Sequence, residues 1–311
     1  MKPEAIFYNE RGLRAGWRLL IFFCIIAVIA AGAERLVSRG GAGTGNRPAG
    51  YMFAIAVGLG ELVPFLILLL ICWIMSRIER RPMGEYGLPL RKPALSYFWA
   101  GYFFWGFVPL SILLLVMRAL GVFYFGGIDL HGIPILLWAL AWGFAFIAVG
   151  FFEEFFFRGY VLFTLGDGVG FWPAAIILAI GFAFAHMGNG GETKVGVIAT
   201  AVFALFASAT LRRTGSLWLA VGAHAGWDWG QSFFFGVNDS GLQAQGHLLN
   251  PHVPPGAPIW LTGGTVGPEG SVLTLILWAL MTVGVLAFYR KRSGPELVIS
   301  TREPVGSPLA G

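Results

Sequence analysis

The chain has 311 residues, of which 57% are hydrophobic and only 12% charged, and its mean hydropathy is +0.73. A soluble domain carries roughly 25% charged residues, so a water-soluble globule is excluded: so few charges could not cover its surface. The net charge of +5 and pI near 9.4 would suggest nucleic acid in a soluble protein, but the positive residues lie in short segments between apolar blocks, which points to membrane topology and to no nucleic-acid partner.

Taken in chain order, eight apolar blocks are long enough to cross about 30 Å of hydrocarbon. They run 17–33, 51–75, 96–117, 133–152 or longer, 169–187, 195–211, 215–236 and 271–289. The first has a basic start but no small-residue cleavage site, and so reads as a retained span rather than a signal peptide. The Gly-rich stretch 34–50 and the Pro/Gly-rich stretch 237–270 are the two long connections; the second contains no Lys or Arg. The run GGAGTG at 40–45 lacks a preceding strand and a following Lys, and so does not make a nucleotide loop. Cys24 and Cys72 both fall inside apolar blocks, which excludes a disulfide framework. With eight spans and a cytoplasmic N-terminus, sixteen of the 21 Lys and Arg fall on the inner side. The expectation is an all-α polytopic membrane bundle forming a single domain over 1–311, with both termini cytoplasmic and 237–270 facing outward.

Ionisable groups within lipid are costly and mark functional sites. Three clusters stand out. In GFFEEFFFRGY, Glu154 and Arg158 are four apart and share a helix face, so the guanidinium can neutralise that carboxylate. Glu153 points about 100° away, so one carboxylate could be structural and the other reactive as a general base. The same residues could instead be a membrane-edge ion pair. In FAFAH, His186 ends an apolar helix, where an interfacial imidazole is the alternative. In HAGWD, His224 and Asp228 again share one face, and Gly222, Ala223, Ala225 and Gly226 allow another backbone to approach. Such a pair fixes a tautomer, ligates a metal or makes an interhelical hydrogen bond. Glu61, beside Pro64, reads as a packing or kink residue. Two carboxyls, two imidazoles and a further Asp on separate helices make a hydrolytic constellation, with or without metal. A proton-coupled transporter using the same groups as a relay is the other class, although no internal repeat is visible. A non-catalytic scaffold or immunity protein is a third.

In order and spacing these motifs resemble the CPBP family of intramembrane proteases, also called CAAX prenyl protease 2 or Abi. The family pattern is Glu-Glu-x-x-x-Arg, then Phe-x-x-x-His, then His-x-x-x-Asn or Asp. It is matched here by Glu153, Glu154 and Arg158, by Phe182 and His186, and by His224 and Asp228, within about 145–230. NERGLRAGWR and WLTGGTVGPEG also resemble bacterial members. The resemblance implies an intramembrane endopeptidase of the cell membrane acting on membrane-associated peptides or proteins. In it, Glu153 and His186 would activate water, Glu154 and Arg158 would support the site, and His224 with residue 228 would stabilise the oxyanion. Metal dependence is left open; a divalent ion such as zinc would draw on Glu153, His186, His224 and Asp228. Asp228 stands where Asn would donate an amide hydrogen. An ionised carboxylate there repels an oxyanion, which favours a role in orienting His224. One conflict remains at this level. If the fourth span ends near 152, Glu153 and His186 lie at opposite membrane depths; continuing that helix to about Leu165 would bring them together.

Overall fold

The computed structural model describes residues 4–9, 12–40, 49–90 and 93–288. Lys2, Arg11, Arg47, Arg91, Lys92 and the positive residues at 290–302, all used in the charge count, lie outside them, as does most of GGAGTG. The fold is mostly helical. A short α1 (Glu4–Phe7) and a two-residue hairpin, β1 (Tyr8–Asn9) with β2 (Gly12–Leu13), precede α2 (Ala15–Gly40). Then follow α3 (Tyr51–Glu79), α4 (Ala94–Ala100) and α5 (Val108–Ala119), the last two joined by a π-helical segment, Gly101–Phe107. The core continues with α6 (Ile133–Arg158), α7 (Tyr160–Val169), α8 (Phe171–His186) and α9 (Lys194–Thr214). α10 (Trp218–Trp229) runs into a second π segment, Gly230–Phe235; a one-turn α11 (Ile259–Thr262) and α12 (Val272–Phe288) complete the fold.

Among the described residues, five helical stretches are long and apolar enough to cross a membrane: Ala15–Arg35, Tyr51–Glu79, Ala94–Ala119, Ile133–Val169 and Lys194–Thr214. α8 and α12 are apolar but shorter. All eight expected blocks are helical. Lipid-facing positions are recognisable as large exposed apolar side chains at helical spacing, such as Leu59, Val63, Leu66 and Leu70 on α3. Both cysteines are free.

Local chemistry sets the breaks. Gly159 (φ −82°, ψ −124°) ends α6 immediately after Arg158, and α7 carries the span on to Val169, past the Leu165 that the depth conflict required. Gly170, at φ 88°, allows the reversal into α8. Thr193 caps α9, its Oγ1 accepting the Gly196 N–H at 2.9 Å. α3 passes through Pro64 as one helix, with Glu61 half-buried along it.

α10 sits at the centre, every residue from Leu219 to Asp228 being buried. A helix enclosed on all sides needs close neighbours, and glycines supply them. A Cβ at Gly222 would lie 2.0 Å from the Phe98 carbonyl oxygen, and one at Gly226 2.1 Å from that of Tyr102. Across the contact, a Cβ at Gly101 would meet the Leu219 carbonyl oxygen at 2.2 Å. α10 therefore lies backbone against backbone on α4 and the first π segment, which leaves its opposite face for His224.

The two ends of the bundle differ. At one end Arg18 of α2 bonds Glu79 at 2.8 Å and Asp167 at 2.9 Å, and the Tyr160 hydroxyl donates to Glu79 at 2.5 Å. At the other, 237–270 is not a bare loop. Bridges Tyr124–His252 and Ile128–Leu249 pair it to the α5–α6 connection, and Trp142 Nε1 donates to the Gln245 carbonyl at 2.9 Å.

Candidate active site

α6, α8, α9, α10, α12 and the 237–270 segment enclose a cavity of about 460 Å³, lined by Glu153, His186, His224 and Asp228 among aromatic side chains. Glu154 and Arg158 lie behind its wall, 0% and 1% exposed. Glu154 Oε1 accepts from Arg158 Nη1 at 3.1 Å and from His224 Nδ1 at 3.0 Å. One buried carboxylate oxygen thus holds a guanidinium and an imidazole together, which offsets the cost of desolvating the charges.

Glu154 Oε2 and Arg158 Nη2 have no hydrogen-bond partner behind that wall, and on the cavity side Glu153 Oε2 has none either. Glu153 Oε2 lies 3.7 Å from His186 Nε2 and 3.8 Å from His224 Nε2 and makes no hydrogen bond. The His186 ring is fixed from behind, Nδ1 donating to the Phe182 carbonyl at 2.8 Å. A neutral ring held this way offers Nε2 as a lone pair. Phe182 has a further role: its ring carries Arg158 at 4.4 Å on one side and packs against His186 at 4.3 Å. That double contact gives a physical reason for an aromatic side chain one turn before the histidine.

Asp228 Oδ2 stands 3.5 Å from His224 Nε2, beyond a good hydrogen bond. The structure therefore gathers all six sequence-selected residues around one centre, four on the cavity surface and two behind it. Zinc ligation by Glu153, His186, His224 and Asp228 fits poorly. Among the described residues, the group of three or more His, Cys, Asp or Glu with ligand atoms all within 4.8 Å of one another is Asp228, Asp239 and Glu269.

Asp239 and Glu269 escaped the sequence reading. Both line the cavity from the 237–270 segment. Glu269 accepts from Trp227 Nε1 at 3.2 Å, from the Ser240 N–H at 3.0 Å and from the Ser240 hydroxyl at 2.8 Å. Asp239 accepts from the Ser232 hydroxyl at 3.1 Å. Burial, with the Glu269 carboxylate beside it, pushes the Asp239 carboxyl well above the usual carboxylate range. The available signal was two acidic residues in a Gly/Pro-rich stretch devoid of Lys and Arg.

Carboxylates and imidazoles from separate helices of a helical membrane protein thus converge on one cavity. Residues 134–230 match the family model described as "Rce1-like: Type II CAAX prenyl endopeptidase Rce1-like". The match covers less than half of the chain, falls on the helices that carry the Glu153–Arg158, Phe182–His186 and His224–Asp228 motifs, and supports the CPBP resemblance read from them. No curated protein and no solved structure matches the chain.

Proposed function

We propose that the protein is an intramembrane endopeptidase that hydrolyses membrane-associated peptides or proteins with water held between Glu153 and His186. The observation carrying this reading is the unsatisfied Glu153 oxygen, 3.7 Å from His186 Nε2 across the cavity. Two acceptors at that separation do not bond each other; a water molecule can donate one hydrogen to each. Its oxygen then attacks the scissile carbonyl carbon, one proton passes to the Glu153 carboxylate, and Glu153 returns it to the amine as the C–N bond breaks. His224, whose Nδ1 proton is committed to Glu154, turns Nε2 toward the cavity, and as an imidazolium it donates to the developing oxyanion. Asp228 keeps that ring in register and supports its charge. Glu154, Arg158 and Phe182 position both imidazoles.

The 145–230 helices form the catalytic core of a single 1–311 domain in this reading, with eight crossings, both termini cytoplasmic and 237–270 on the far side. The excess of inner-side Lys and Arg supports that orientation. The location is the cell membrane, and reporter fusions at the C-terminus and near Ser240 check the sidedness.

The deciding experiment reconstitutes Glu153→Ala and His186→Ala and follows cleavage of membrane-anchored peptides, with and without a prenyl group. Both variants should lose cleavage while keeping their thermal transitions. Full activity in both would end the assignment, and proton-coupled uptake by liposomes without any cleavage would replace it with a transporter.

A further inference from the structure

We infer that Asp228, Asp239 and Glu269 form a binding site for a hard divalent cation, of the calcium type, in the cavity wall. It shares Asp228 and the cavity with the site above, but it uses neither Glu153 nor His186 and does not depend on the hydrolase reading. The three carboxylates offer ligand atoms within 4.8 Å of one another, the spacing that oxygen ligands adopt around an ion at about 2.3–2.6 Å. They come from two distant parts of the chain, the central helix α10 and the 237–270 segment.

Two further observations point to a ligand. The Asp228 side chain is 6% exposed and faces the cavity. The basic group beside it is His224, at 3.5 Å, its other neighbours in the cluster are the Asp239 and Glu269 carboxylates, and the residues lining the cavity include no Lys or Arg. Gln231, one turn further along, is fully buried. Its Nε2 donates to the Asn238 carbonyl at 3.4 Å. Its Oε1 is left without a donor. Three carboxylates and an amide oxygen are all acceptors, and buried acceptors need a proton donor or a cation. An all-oxygen set of this kind selects hard ions over zinc.

The contacts around the cluster indicate what the ion does. Trp227 and Ser240 hold Glu269, and Ser232 holds Asp239. Bound there, the cation ties 237–270 to α10 and fixes the cavity wall beside His224.

Terbium is a suitable probe, because it takes calcium-type oxygen ligands and the Trp227 indole that bonds Glu269 can sensitise its emission. The full chain, solubilised and stripped with chelator, should show saturable emission at one ion per chain that calcium displaces. Calcium should also raise its unfolding temperature. Asp239→Asn and Glu269→Gln should each weaken binding at least tenfold, and Gln231→Leu several-fold. Glu153→Gln, inactive by the reading above, should bind normally, so failure of the peptidase assignment and failure of this one are separable. If either carboxylate variant misfolds, Gln231→Leu and the calcium-induced thermal shift carry the test. Absence of saturable emission would overturn the proposal. So would binding that survives Asp239→Asn and Glu269→Gln but is lost in Glu153→Gln or His186→Ala.

Discussion

Two buried polar clusters occupy this bundle, and they are built oppositely. At one end Arg18 meets both Glu79 and Asp167, with the Tyr160 hydroxyl on Glu79. With Arg81 3.9 Å from Asp167, two guanidiniums face two carboxylates, and the cluster pins α2, α3 and α7. Around the cavity, Glu153, Asp228, Asp239 and Glu269 face a space with two imidazoles and no Lys or Arg in its lining. The matched cluster is what a fold needs; the unmatched one costs stability and is kept for binding or chemistry.

Substitutions can break this comparison. Glu153→Gln should lower the cleavage rate by roughly 10²–10⁴-fold, the usual contribution of a general base, with the unfolding temperature little changed because this carboxylate is part-exposed and makes no hydrogen bond through Oε2. Turnover and thermal unfolding measured together check both halves. Glu79→Ala should do the reverse. It leaves buried Arg18 with Asp167 alone, removes the acceptor of the Tyr160 hydroxyl, and costs about 3–5 kcal/mol of stability, while turnover per folded molecule persists. Equal stability losses for the two would erase the distinction drawn here.

Smaller effects sharpen it. Phe182→Leu removes the ring between Arg158 and His186 and should reduce turnover about tenfold, in line with ~1–2 kcal/mol for a desolvated cation–π contact. Because Asn fits the family pattern at position 228, Asp228→Asn should stay within about tenfold in cleavage by the same transition-state arithmetic; a deeper loss would make the carboxylate itself essential. The smallest effect concerns Glu192, in the turn after His186. Burial raises its carboxyl above the usual range, against the opposing Thr193 N–H. The folded chain thus holds that proton to higher pH than the unfolded chain does, so stability falls as pH rises through the raised value. Glu192→Gln should flatten this fall by well under ~1 kcal/mol, since the group is partly solvated. Thermal midpoints across mildly acidic to neutral pH read it out.

Helices were readable from the sequence because lipid imposes long apolar runs, and the six cavity-centre residues because charge inside such runs is conspicuous. The Gly159 break sits inside one continuous apolar block, so hydropathy alone merged or truncated the two helices on either side of it. The π segments before Val108 and after Trp229 leave no periodic trace of their own. Arg18, Glu79 and Asp167 each resemble an ordinary helix-end charge; their meeting depends on how the helices pack. Asp239 and Glu269 were hidden because polar residues in a Gly/Pro-rich connection normally face water, and here the connection folds back over the bundle.

The enclosure of α10 carries a mechanical consequence. With every residue from Leu219 to Asp228 buried and its glycines seated on neighbouring carbonyls, the helix bearing His224 presents only its terminal Trp218 and Trp229 toward the outside. Thinning, thickening or curving the bilayer strains the peripheral rods first. The imidazole and its acidic neighbours ride on an inner spindle that such elastic stresses reach only through the outer shell, so turnover should vary little among lipids that differ in chain length alone.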